Sequence, residues 1–168
     1  MENMLDIKYK KAYIEYNKDD KEQRMTERTK VAIGSSITNV VWFAILYFLQ
    51  QNKAFASAED LTRSWGKFFL LLLGGMVVLN VLLTIALTLR EKAKGGRGFD
   101  EVVDERDQLF EKKVLKNFSI VFSLGFFLSM AMLAFGTSLS VFFSTLAFTV
   151  IVASLTFWLS YAWFYERG

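Results

Sequence analysis

The sequence predicts an all-α integral membrane protein with four transmembrane helices arranged as two hairpins, and three observations carry that reading. Charged residues are confined to positions 1–30, 53–67, 90–116 and 166–167. Four charge-free apolar runs fill most of the remainder: Val31–Leu49, Phe68–Leu89, Phe118–Phe135 and Leu139–Phe164. At about 1.5 Å per residue, twenty helical residues cover about 30 Å, the hydrocarbon thickness of a bilayer. A soluble bundle is a poor alternative, because helices buried in one rarely lack charge on every face. The third observation is where the basic residues fall.

Eight Lys and Arg precede the first run (Lys8, Lys10, Lys11, Lys18, Lys21, Arg24, Arg28 and Lys30), and eight lie in the 90–117 segment. The segment between the first two runs holds Lys53, Arg63 and Lys67, and the turn at Gly136-Thr137-Ser138 holds none. Positive charge concentrates on cytoplasmic loops. The expected topology therefore puts both termini and the 90–117 loop in the cytoplasm of a cell whose inner (cytoplasmic) membrane the chain crosses. Trp158, Tyr161, Trp163 and Tyr165 crowd the end of the fourth run, where amphipathic rings favour the headgroup layer.

Two units follow: a basic cytoplasmic segment, 1–30, and a four-helix transmembrane domain, 31–168. In the first, Leu5, Tyr9, Ala12, Tyr13 and Tyr16 share one helical face. Lys8, Lys10 and Lys11 surround that face, as in a helix lying on a membrane surface or packed on a neighbouring subunit. Ser57 and Asp60 have capping-box spacing and predict a helix start leading into the second run. Gly74-Gly75 is the one soft spot expected inside a run. The three-residue connection after Phe135 demands a tight antiparallel turn.

The chain contains 0 Cys, 0 His and 0 Pro. Disulfides, thiolate zinc sites, the commonest general base and proline-broken transporter helices are therefore not expected. No Asp, Glu, Lys or Arg lies inside a run, so intramembrane proton relays and voltage sensors are not expected either. The polar residues singled out within the runs are Asn39, Asn80, Ser119, Ser123 and Ser129. The two asparagines are the costliest to leave facing lipid, and each should find a partner on another helix. The serines, with Gly125, form small-xxx-small steps suited to helix packing, to a subunit interface or to a pore lining.

The most charged stretch, "GGRGFDEVVDERDQLFEKK" (residues 95–113), has acids on a helix start and lysines at the headgroup level. Lys112, Lys113 and Lys116 are the expected membrane-surface cations there. Its carboxylates lack EF-hand spacing, so no metal site is expected. "DERDQLFEKK" running into an apolar helix resembles a motif of small uncharacterised prokaryotic four-span membrane proteins. In those an Asp-Glu-Arg triplet precedes a transmembrane helix. The matching residues are Asp104, Glu105 and Arg106, and the resemblance implies a membrane accessory protein and no catalytic residue.

The expected function is that of a non-enzymatic accessory or regulatory inner-membrane protein. It would form a homo-oligomer in the lipid bilayer and dock a cytoplasmic protein through Asp104, Glu105 and Arg106, with no cofactor and no nucleic-acid partner. Two alternatives stay open. One is a homo-oligomeric pore, channel or membrane-permeabilising effector; the other is a small transporter subunit for a neutral lipophilic substrate.

Overall fold

The structure, a computed structural model, describes the backbone of residues 4–93 and 105–167, with the side chains of 28–90, 92–93, 105 and 107–166. It contains four helices: α1 (Met4–Gln51), α2 (Ala58–Ala93), α3 (Glu105–Ala134) and α4 (Leu139–Arg167). Each carries one of the four apolar runs and is long and apolar enough to cross a bilayer. The described residues include no strand.

The helices outrun the apolar stretches because little in the sequence stops them. The chain has 0 Pro, and the first glycine is Gly34. α1 therefore continues without a break from the basic segment into the apolar run, where two separate elements are expected. Only hydropathy changes at residue 30, and that alone does not end a helix. α2 likewise runs through Gly74-Gly75, and among the described residues positive φ occurs only at Gly136. The expected soft spot is regular helix.

Where the helices do end, the chemistry is local. The Ser57 hydroxyl accepts from the Asp60 backbone N–H at 3.1 Å and donates to Asp60 Oδ2, so the capping pair read from the sequence starts α2. α3 closes on a Schellman turn. Thr137 N–H reaches the Met132 carbonyl and Gly136 N–H the Leu133 carbonyl, with Gly136 at φ 82°. A residue with a Cβ there would be strained. Ser138 then caps α4.

Cross-helix contacts set the order of packing. Antiparallel contacts join α3 to α4 (Asn117 to Ser160, Gly125 against Thr149). They also join α4 to α1 (Tyr165 to Arg28, Phe148 to Phe43). α1 meets α2 in the same sense (Trp42 to Leu71, Gln50 to Ser64). α2 touches α4 slightly, and α3 has no packed face against α1 or α2 among the described residues. α1 and α4 are therefore the central pair, with α2 and α3 as flanks. At one end Trp65 stacks on Phe143, and Phe43 meets Phe68 edge-on, making an aromatic plug with Leu46, Leu72 and Ile151.

The molecule is inverted in polarity. Ser35, Ser36, Asn39, Ser129 and Thr149 are buried, whereas Leu70 is 77% and Phe135 88% exposed. So much bare apolar surface suits contact with lipid rather than water.

The adjacent glycines of α2 should respond oppositely to alanine. Gly74 faces open space, whereas a Cβ at Gly75 would overlap the Trp42 indole. Gly74→Ala should raise unfolding free energy in detergent by about 0.5 kcal/mol. Gly75→Ala should lower it by about 1 kcal/mol through overpacking. Equilibrium unfolding of the two variants side by side checks both signs.

Candidate functional site

Because α2 and α3 stand apart, a groove of about 870 Å³ opens between them, with α4 and Asn39 of α1 as its floor. Ligand sites typically fall between about 300 and 1,000 Å³ and are mostly apolar. One wall is Leu73, Met76, Val77 and Val81 of α2, and the facing wall is Leu115, Phe118, Phe122 and Phe126 of α3. Phe157 and Trp158 of α4 close the end nearer the chain's C-terminus. Leu73, Val77, Val81 and Leu115 are each more than half exposed, so the groove is open along its side.

Three polar residues lie under this surface. Asn39 donates from Nδ2 to Ser154 Oγ at 2.9 Å, joining α1 to α4. Asn80 donates from Nδ2 to Asn39 Oδ1 at 2.9 Å, joining α2 to α1. Its second N–H goes to the Met76 carbonyl of its own helix at 2.6 Å. Asn80 is thus oriented by two carbonyl acceptors and Asn39 by the Ser154 hydroxyl, and both amide N–H groups are spent within the protein. Asn80 Oδ1 is buried with no partner among the described residues. No charged residue lines the groove. Such a surface can hold a neutral apolar body; it offers nothing to neutralise a charge and no group for acid–base chemistry.

A second cluster ties the helix ends together. Arg28 of α1 pairs with Asp107 Oδ2 of α3 at 2.8 Å. Arg28 also donates to the Tyr165 hydroxyl of α4 at 2.5 Å. That hydroxyl donates to Asp107 Oδ1 at 2.7 Å, while the guanidinium carbon sits 5.0 Å from the Tyr165 ring centre. One ion pair and two hydrogen bonds thus close a ring across three helices. With side-chain exposures of 19% for Arg28 and 14% for Asp107, the pair is far better shielded than a surface salt bridge.

The residues singled out from sequence are divided by the structure. Asn39 and Asn80 meet. Ser129 is buried and bonds back to the Gly125 carbonyl at 2.8 Å. Ser119 and Ser123 are exposed, away from that cluster. Glu105 is exposed at the first turn of α3; Asp104 and the Arg106 side chain lie outside the described residues, as do the side chains of Lys8, Lys10 and Lys11. Lys112 and Lys116 are exposed, and Lys113 Nζ lies 5.6 Å from the Phe164 ring centre and 5.9 Å from that of Phe110. No group of three His, Cys, Asp or Glu suited to a metal occurs among the described residues.

Sequence reasoning passed over Arg28, Asp107 and Tyr165. All three lie beyond the same end of their apolar runs, but Lys30 stands closer to the first run than Arg28, and Lys112, Lys113 and Lys116 stand closer to the third than Asp107, so position alone did not mark them. Ser154 was legible only as one of several small polar residues on the fourth run.

These features define a four-helix bundle whose helices are each long and apolar enough to cross a membrane, with a lateral apolar groove. The chain matches no family of known proteins, no curated protein and no solved structure.

Asn39 makes both interhelical bonds of the polar cluster and Asn80 only one. Asn39→Leu should therefore cost more, about 1–2 kcal/mol against under about 1 kcal/mol for Asn80→Leu. The double variant should cost less than the sum, since each single change strands the other's polar group. A double-mutant cycle of unfolding in detergent measures the coupling.

Proposed function

We propose that this chain is a non-enzymatic, multi-pass protein of the inner (cytoplasmic) membrane that takes a neutral lipophilic molecule from the bilayer into the α2–α3 groove. It serves as a binding subunit in transport or in response to such a molecule. It is inserted as two hairpins with both termini and the 90–117 segment on the cytoplasmic side, in keeping with the distribution of Lys and Arg. The observation that carries the reading is the groove itself: it is uncharged, rich in aromatic rings and open along its side towards the exposed apolar faces of α2 and α3.

The accessory reading keeps a specific support. Glu105 is exposed and Leu109 is 56% exposed on the charged end of α3, a bare apolar side chain beside a charge that a cytoplasmic protein could read. The resemblance read from "DERDQLFEKK" would imply that role, and no family match supports it. The channel reading has less behind it. Asn39 and Asn80 are spent inside one protomer, and Ser119 and Ser123 would line a lumen only if several copies turned those faces together.

Photolabelling of the full chain in nanodiscs tests the groove. An alkyl diazirine of lipid-like length should give saturable adducts on Val77, Val81 and Phe122. Val77→Trp, which fills the groove from an exposed position, should reduce them about tenfold, equivalent to about 1.4 kcal/mol. Adducts spread evenly over lipid-facing residues such as Leu70 and Leu124, indifferent to Val77→Trp, would overturn the proposal.

A further inference from the structure

α3 is the least buried helix of the bundle along its apolar stretch. Of its most apolar stretch 6% is buried, against 33% for α1. It packs along α4 alone, through a seam of small side chains in which Gly125 meets Thr149 and Ser129 is fully buried. One end is fixed by the Gly136 turn. The other end is tied to the remaining helices by Asp107, through Arg28 of α1 and the Tyr165 hydroxyl of α4. Phe110 adds contacts to Phe164 and Tyr165 there, again on α4.

We infer that the Arg28–Asp107–Tyr165 ring is a latch that sets the separation of α3 from α2, and with it access to the groove. The inference rests on the reading of that groove as a binding site. Mechanically, α3 is a lever hinged at the Gly136 turn. Asp107 lies 29 residues from that hinge, about 44 Å along a helix. A swing of about 5° would move the Asp107 end by roughly 4 Å and the groove wall at Phe122, half as far from the hinge, by roughly 2 Å. Along the seam Gly125 fits closely under Thr149, and Asn117 Nδ2 donates to Ser160 Oγ at 3.1 Å, so a swing of this size must lengthen that bond as well as open the ring. Aromatic contacts between Phe118 and Phe157 would slide rather than break. Arg28 is the one latch member on α1, which is bonded to α2 through Asn39 and Trp42. The ion pair therefore fixes α3 relative to the groove's opposite wall through a short path: α2, α1, Arg28, Asp107. Its chemistry suits a releasable tie. Among the described residues Arg28 has a single carboxylate partner, and it is shielded but not sealed, so a competing anion or removal of the Asp107 carboxylate would open the tie.

The natural absence of cysteine makes the test clean. Val78→Cys on α2 and Leu124→Cys on α3, both at exposed positions, carry spin labels for pulsed dipolar distance measurement in nanodiscs. The latched protein should give one narrow distance. Asp107→Asn should shift or broaden it by about 1.5 Å for such a swing, since Leu124 lies about 18 Å from the hinge, and the exchanged pair Arg28→Asp with Asp107→Arg should restore it. Tyr165→Phe removes the bridging hydroxyl alone and serves if the asparagine variant does not fold; it should broaden the distribution in the same direction. An unchanged distribution in Asp107→Asn or Tyr165→Phe overturns the latch. Photolabelling of the same samples separates the two ideas. A distance that moves while adducts never localise to the groove leaves the latch standing and removes the binding site. Localised adducts with an unmoved distance do the reverse.

Discussion

Asn39 has nowhere to go but inward. It sits in the middle of an apolar helix, 1% exposed, and an amide left unpaired among hydrocarbon side chains costs several kcal/mol. Its two interhelical hydrogen bonds, to Ser154 and from Asn80, consequently fix which helices are neighbours and at what depth. α1 must lie against both α4 and α2, and the rest of the packing follows from that. In lipid, apolar burial gives little preference for one helix partner over another, so one polar side chain with two partners has unusual authority over the arrangement.

That arrangement explains the groove. With α1 and α4 in the centre and α2 and α3 on the flanks, closing the bundle would require α2 and α3 to meet, and the one polar side chain of α2 or α3 that lines the groove, Asn80, donates to Asn39 of α1 instead. Their facing residues are Val77 and Val81 on one side and Phe118, Phe122 and Phe126 on the other. Long aromatic side chains hold backbones apart, whereas Gly75 under Trp42 and Gly125 under Thr149 let backbones approach. Close packing thus occurs where a residue lacks bulk, and the cavity lies where rings project.

Much of the fold was legible. The four charge-free runs gave the helices, Ser57 and Asp60 the start of α2, and the short Gly136–Ser138 connection the tight turn. The need of Asn39 and Asn80 for partners was legible too, though not that each would be the other's. The groove was not. α2 and α3 are apolar on all faces, so periodicity cannot separate a lipid-facing side from a packed one. The two small-residue steps of α3, Ser119–Ser123 and Gly125–Ser129, lie on different faces, with Ser123 and Gly125 about 160° apart around a helix; in the second Gly125 meets Thr149 and Ser129 is buried, whereas Ser119 and Ser123 are exposed. The expected division at residue 30 falls inside one continuous helix, because the sequence changes polarity there without changing helical preference. Asp107 was hidden inside a run of carboxylates whose other members gave it no distinction.

The central claim is that α1 and α4 form the paired core while α2 and α3 remain apart. Disulfide mapping in native membranes tests it most directly, since the chain has 0 Cys of its own. Cysteines replacing Phe43 and Phe148, whose rings lie 5.3 Å apart, and cysteines replacing Gly125 and Thr149 should cross-link rapidly on mild oxidation. Cysteines replacing Met76 and Phe122, on opposite walls of the groove, should not. Rapid cross-linking of Met76→Cys to Phe122→Cys within one chain would mean that the bundle is closed, and it would contradict the account.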